Sequence, residues 1–242
     1  MAGSERLDLH LDRPVHRMIA APTGGGKSFF VGAMVEELYR HKKPFIVLDT
    51  KTDNHRGLVA LHDVKHLEIN PKKPLKNLRR LDEYPYILCT PEHRDMDIQD
   101  ILDMYREIIG FMWRTEQERT FIIEEAHNYN KNASVPDPLF ERIAREGRGY
   151  GKFAWFVTQR LQNFSQLLWS QCTYTYLFRF IIPSDIRYCA SMVPGFDIRK
   201  KEGLPGWNSE LNDHDVLVWD GREAEILRAK SIAKMRRTKH LG

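Results

Sequence analysis

The amino-acid sequence predicts an α/β domain, a mainly parallel sheet with helices on both faces. Short apolar runs at 18–21, 45–48, 86–89, 121–123 and 153–158 read as buried strands, and segments with helical spacing separate them. Most of these runs end in glycines, acids or other polar residues, and in parallel sheets ligands gather at the carboxyl ends of the strands.

Along the chain, Leu7, Leu9 and Leu11 alternate with polar residues like a short edge strand. Residues 27–39 place Phe30, Met34 and Leu38 at helical spacing after a glycine-rich turn. In 98–113, Ile101, Leu102, Tyr105, Ile108, Ile109 and Met112 share one face, which predicts an amphipathic helix. Residues 138–147 read as a helix opened by proline and stopped by glycine. Strands are expected at 174–182 and 216–219.

The 242 residues suit one α/β domain and are too few for two of full size. The expected plan is a single domain with an N-terminal arm at 1–16 and a C-terminal extension at 194–242. That extension holds Trp207 and Trp219 without a readable motif. Hydrophobic residues make up 42% and charged residues 29%, and no apolar run approaches the roughly 20 needed to span a bilayer. Residues 1–5 lack the pattern of a secretory signal, so the cytoplasm or the inside of an assembling particle is the expected location. Cys89, Cys172 and Cys189 lack metal-ligand spacing and read as buried reduced thiols. The net charge of +4 permits contact with a polyanion without requiring it. Arg228, Lys230, Lys234, Arg236, Arg237 and Lys239 form a basic tail without acids, suited either to phosphate contacts or to a solvated end.

Ala21-Pro22-Thr23-Gly24-Gly25-Gly26-Lys27-Ser28 fits the Walker A pattern, with alanine in place of the first glycine. Glycines let the backbone N–H groups approach phosphate oxygens, and the next helix aims its positive end at the same anion. Lys27 is expected on the β- and γ-phosphates of ATP and the Ser28 hydroxyl on Mg²⁺, with Thr23, Gly24, Gly25, Gly26 and Phe29 completing the cradle. Downstream, Thr120-Phe121-Ile122-Ile123-Glu124-Glu125-Ala126-His127 resembles a Walker B box. There Glu124 takes the metal-side role, usually held by aspartate, and Glu125 that of general base. Two solvated acids capping a strand are the ordinary alternative. A base beside the metal acid favours hydrolysis over small-molecule phosphorylation.

Arg145-Glu146-Gly147-Arg148-Gly149-Tyr150-Gly151, followed by Phe153 through Val157 and Thr158-Gln159-Arg160, resembles the signature of the HerA/FtsK superfamily of ring-forming DNA motors. Ser170-Gln171-Cys172-Thr173, Leu177-Phe178-Arg179-Phe180 and Pro183-Ser184-Asp185 are similar to that family's next strand and turn, so the likeness runs from Met18 to Val193. It implies a RecA-like P-loop NTPase in which Gln159 senses the γ-phosphate or the attacking water. It also implies an arginine finger offered across a subunit boundary, with Arg148 first, Arg145 second and Arg179 third. Asp49 and Lys51 sit where family members often carry an Asp-x-Lys-Gly turn, and Tyr129, Asn130 and Lys131 lie on a loop that would face a central pore.

The resemblance implies ATP and Mg²⁺ as cofactors and double-stranded DNA as partner. A closed homo-oligomeric ring, hexamer or pentamer, is expected, because a trans finger requires a head-to-tail interface. Neither the β-barrel of HerA helicases nor the membrane spans and winged helix of FtsK are found in this sequence. By elimination it most resembles the genome-packaging ATPases of tailless, membrane-containing viruses, with capsid or membrane-vertex proteins as further partners. A plasmid or host translocase for conjugation, segregation or repair, and a protein-export or assembly ATPase, remain the alternatives.

Overall fold

The computed structural model describes residues 9–75, 78–130, 132, 134–199, 202–234 and 238. Among them one nine-stranded sheet runs in the order β11-β10-β7-β1-β6-β5-β2-β4-β3. Its strands are β1 (Arg17–Ala20), β2 (Phe45–Leu48), β3 (Val64–Ile69), β4 (Tyr86–Pro91), β5 (Arg119–Ile123), β6 (Lys152–Thr158), β7 (Tyr174–Leu177), β10 (Val216–Trp219) and β11 (Ala224–Leu227). A small hairpin joins β8 (Ile198–Arg199) to β9 (Leu204–Pro205). All pairings from β3 across to β7 are parallel, and β10 and β11 add an antiparallel edge.

The helices are α1 (Lys27–Arg40), α2 (Leu78–Leu81), α3 (Ile98–Met112), α4 (Pro138–Glu146), α5 (Gln166–Ser170), α6 (Pro183–Met192), α7 (Trp207–Glu210) and α8 (Ala229–Ala233). Alternate strand residues feed two separate cores, which is why the central strands carry apolar residues on both faces along most of their length. Ile19, Val47, Ile122 and Val157 meet Phe30, Met34 and Val35 of α1 on one face. Ala20, Ile46, Phe121 and Phe156 meet Ile101 and Ile108 of α3 and Phe140 and Ile143 of α4 on the other. Local chemistry starts the helices where expected. The Asp97 carboxylate accepts the Gln99 N–H to cap α3, and Asp137 caps α4 through the Leu139 N–H with Pro138 in the first turn.

Two expected elements are corrected. Among the described residues no edge strand forms at the start. Leu7 lies outside the described residues, and Leu9 and Leu11 are buried in an irregular segment fastened by the Arg17 guanidinium, which donates to the carbonyls of Leu9, His10 and Arg13. The strand expected over 174–182 ends at Leu177, level with Ala20 at the end of β1. Beyond it Asn208 holds both the N–H and the carbonyl of Phe180, Ile181 and Ile182 turn outward, and Pro183 opens α6. An apolar run marks burial, but it cannot say where the neighbouring strand stops.

Candidate active site at the carboxyl rim of the sheet

The carboxyl ends of β1, β6, β5 and β2 lie side by side. From β1 the chain enters the glycine loop, with Gly24 at φ +76° and Gly26 at φ +90°, conformations that disfavour any residue with a Cβ. Gly26 has a second reason to be glycine, since a Cβ there would stand 2.8 Å from His214 Nδ1. Gly26 precedes Lys27 and Ser28 at the start of α1, so the helix points its free N–H groups into the loop.

Lys27 reaches back from α1 to the end of β5. Its Nζ donates to Glu124 Oε2 at 2.9 Å and stands 3.7 Å from Glu125 Oε1. Burial opposes the lysine charge, but the two carboxylates outweigh it and raise its pKa. Burial likewise opposes the Glu124 charge. Lys27 and His55 overcome it and hold the carboxyl down to about 2. Glu125 goes the other way: burial, reinforced by the neighbouring Glu124 charge, raises its pKa. Its Oε2 is buried without a hydrogen-bond partner and its backbone sits at φ +50°, a costly conformation for a side-chain-bearing residue. The acid pair is therefore divided by environment into one fixed anion and one underbonded, more basic carboxylate.

Gln159, just past β6, accepts a 2.7 Å hydrogen bond from the Thr23 hydroxyl, so the expected sensor touches the glycine loop. His127, its pKa lowered to about 4 by burial and by Arg160, pairs through Nδ1 with the Thr158 hydroxyl at 2.9 Å beside Glu125. Asp49, at the end of β2, is fully buried. Its carboxylate accepts the N–H groups of Lys51 and His55, and burial raises its pKa to about 6.

Other expected residues lie elsewhere. Arg148 and Arg145 precede β6, at the amino end of the sheet. Arg148 donates to the Gln171 carbonyl and the Thr173 hydroxyl, and Arg145 pairs with Glu141 along α4. Arg179 is exposed just past the carboxyl end of β7. Tyr129 does not face solvent: its ring is buried against Phe140, with centroids 4.6 Å apart, and the Arg106 guanidinium lies over it. Lys131 and tail residues Arg236, Arg237 and Lys239 lie outside the described residues. The described tail is anchored. Arg228 pairs with Asp215 at 2.7 Å, and α8 packs through Ile232.

Two features were missed from the sequence. His55, six residues beyond Asp49, belongs to no motif, yet its Nε2 lies 2.9 Å from Glu124 Oε1. Beside Gly26 opens a cavity of about 250 Å³ to which the C-terminal extension contributes His214, Ala229 and Ile232, facing Phe29 and Phe178.

A glycine loop between a parallel strand and its helix, with its lysine on an acid pair two strands away, defines a P-loop NTPase. The family model for the central domain of the HerA helicase matches residues 6–165, well over half of the chain, and the chain belongs to that family. It is an ATPase. No curated protein sequence matches it. Among solved structures it is similar to the genome-packaging NTPase B204 of Sulfolobus turreted icosahedral virus 2 in complex with ATPγS, with a TM-score of 0.64 and 15% identity over 89% of this chain and 97% of that one. It is also similar to VirB4 of Thermoanaerobacter pseudethanolicus, with a TM-score of 0.62 and 11% identity over 88% of each chain. The bacterial conjugative coupling protein TrwB gives a TM-score of 0.58 and 10% identity over 88% of this chain and 84% of that one.

Proposed function

We propose that this protein is an ATP-driven translocase of double-stranded DNA of the kind that packages viral genomes, acting as a closed ring with its nucleotide sites at subunit interfaces. One observation carries the reading: Lys27, Glu124, Glu125 and Gln159 gather at a single rim around the glycine loop. The matched family, and a fold covering nearly all of a viral packaging NTPase, support it further.

In this reading the triphosphate lies along the N–H groups of the glycine loop, and Lys27 leaves the acid pair for the β- and γ-phosphates. The base enters the apolar cavity between Phe29 and α8. Glu125, short of hydrogen bonds and raised in basicity, takes the proton of the attacking water, which Gln159 helps to orient. Mg²⁺ suits the remaining donors. Ser28 and Glu124 are hard oxygen ligands, and Mg²⁺ is commonly held by one or two carboxylates plus phosphates, not by a protein cage. When bound it would neutralise phosphate charge. Arg148 or Arg145, remote from their own loop, are offered to the neighbouring subunit, with Arg179 the candidate at the rim.

The test is steady-state ATP hydrolysis with and without duplex DNA, for wild type and Glu125→Gln, across a salt series. Duplex DNA of any sequence should raise wild-type turnover, with the stimulation fading as salt rises. Glu125→Gln should bind ATP and lose about 100-fold or more in turnover. Indifference to DNA would move the reading to a protein-export ATPase, and normal turnover in Glu125→Gln would remove the assigned base.

A further inference from the structure

The geometry assigns His55 as a positioning residue that keeps Glu124 aimed at the nucleotide-bound metal after Lys27 has left it; this rests on the nucleotide site proposed above. Glu124 is fully buried and each carboxylate oxygen has one partner: Lys27 on Oε2 and His55 on Oε1, both at 2.9 Å. The two partners differ in what they can do. Lys27 belongs to the glycine loop's helix, and its flexible stem must turn to phosphate when a nucleotide arrives. His55 cannot follow. It is fully buried, and its backbone N–H is tied to Asp49 Oδ2 at 3.2 Å. Asp49 in turn takes the Lys51 N–H on its other oxygen, while its carbonyl accepts the Tyr105 hydroxyl at 2.5 Å. Loop, β2 and α3 thus lock the imidazole into one place beside the end of β5.

This anchor answers a question raised by the sequence. Glutamate stands where aspartate usually serves, and its extra side-chain torsion lets the carboxylate wander once Lys27 departs. A hydrogen bond from a rigid donor removes that freedom. Outer partners of this kind orient the groups that bind a metal. The role assigned to His55 is exerted through Glu124, whose Oε1 lies 2.9 Å from its Nε2.

The experiment compares full-length wild type, His55→Ala, His55→Gln, His55→Asn, Glu124→Asp and the Glu124→Asp/His55→Ala double variant. Mn²⁺ affinity is read by electron paramagnetic resonance in the presence of a non-hydrolysable ATP analogue. Metal-free affinity for the analogue and the kcat and KM of hydrolysis are measured in parallel. His55→Ala should weaken Mn²⁺ binding about 10-fold or more and lower kcat comparably, with KM and metal-free affinity within about twofold. Glutamine, whose amide reaches the position of Nε2, should recover most of the loss, and the shorter asparagine should not. Because Glu124→Asp already gives up the contact, His55→Ala should add less than about twofold in that background.

Unchanged Mn²⁺ affinity in folded His55→Ala, or effects that multiply in the double variant, would overturn the assignment. If His55→Ala fails to fold, equal Mn²⁺ affinities for the glutamine and asparagine variants would do the same. None of these readings involves DNA. Absence of DNA stimulation would sink the translocase proposal and leave this one standing.

Discussion

The two ends of the sheet both bury positive charge and use it differently. At the amino end Arg17, Arg119 and Lys152 start β1, β5 and β6, all almost without solvent exposure. Their partners are mostly fixed neutral groups. Arg17 reaches three backbone carbonyls and the Tyr176 hydroxyl, with aromatic rings around it. Arg119 takes the Tyr84 carbonyl and the Gln117 amide with Asp82 at 3.6 Å, and Lys152 takes the Gln117 carbonyl. At the carboxyl end Lys27 faces two carboxylates. The pKa directions separate the two cases. Burial lowers Lys152, helped by Arg119, while at Lys27 the acids outweigh burial and raise it. A buried cation on backbone carbonyls has no exchange partner and serves the fold. One on ionised acids can be traded for a phosphate, because an anion replaces an anion.

The sharpest way to break this comparison is to neutralise one cation at each end. Lys27→Met should abolish nucleotide binding and turnover. It should also lower stability by about 3 kcal/mol, because two buried carboxylates lose their counter-charge. Arg119→Met should cost about 2 kcal/mol through lost bonds to carbonyls, with turnover per folded molecule unchanged. Urea unfolding and single-concentration ATPase assays on both variants decide it. A turnover defect in folded Arg119→Met would erase the distinction between the ends.

The two ends were unequally legible in the sequence. The rim was largely readable, because the glycine loop, Lys27 and Ser28 form one local pattern and the acid pair ends an apolar strand. What escaped was convergence across the chain. His55 meets Glu124 over 69 positions, and His214 meets the Gly25 carbonyl over 189, with no local pattern to announce either. β3 was missed because its charged and polar residues are those of a half-exposed edge. The amino end misled differently. Alternating leucines near the start promised a strand, but Arg17 takes carbonyls there that a neighbouring strand would need. The same apolar pattern fits a strand or a clamped irregular segment, and only the partner decides.

A smaller effect probes the packing around buried Lys152 at the amino end. Gly147 sits where a Cβ would stand 2.3 Å from the Lys152 carbonyl oxygen, a backbone atom that cannot swing aside. Gly147→Ala should therefore lower stability by about 3 kcal/mol, as overpacking against backbone does. Thermal denaturation should report it, with the affinity for an ATP analogue unchanged in the folded fraction.

The smallest expected effect comes from His16, just before β1. Its ring is buried, its Nδ1 accepts the Ala154 N–H at 3.0 Å, and its Nε2 has no hydrogen-bond partner. Burial and then Arg148 lower its pKa from 6.5 to about 4. The folded chain thus holds the imidazole neutral while the unfolded chain protonates it. The resulting stability is complete above pH 6.5 and is lost as pH falls from there toward 4. Between pH 7 and pH 5 this one group should remove about 2 kcal/mol, at 1.36 kcal/mol per pKa unit. His16→Asn offers an acceptor near the same place and cannot titrate, so its urea midpoint should fall less than that of wild type over this range. His127, lowered to about 4 at the other end of the sheet, keeps its own acid loss in both proteins. An identical pH slope in the two would mean that the buried imidazole at the amino end is already matched by a partner for its proton.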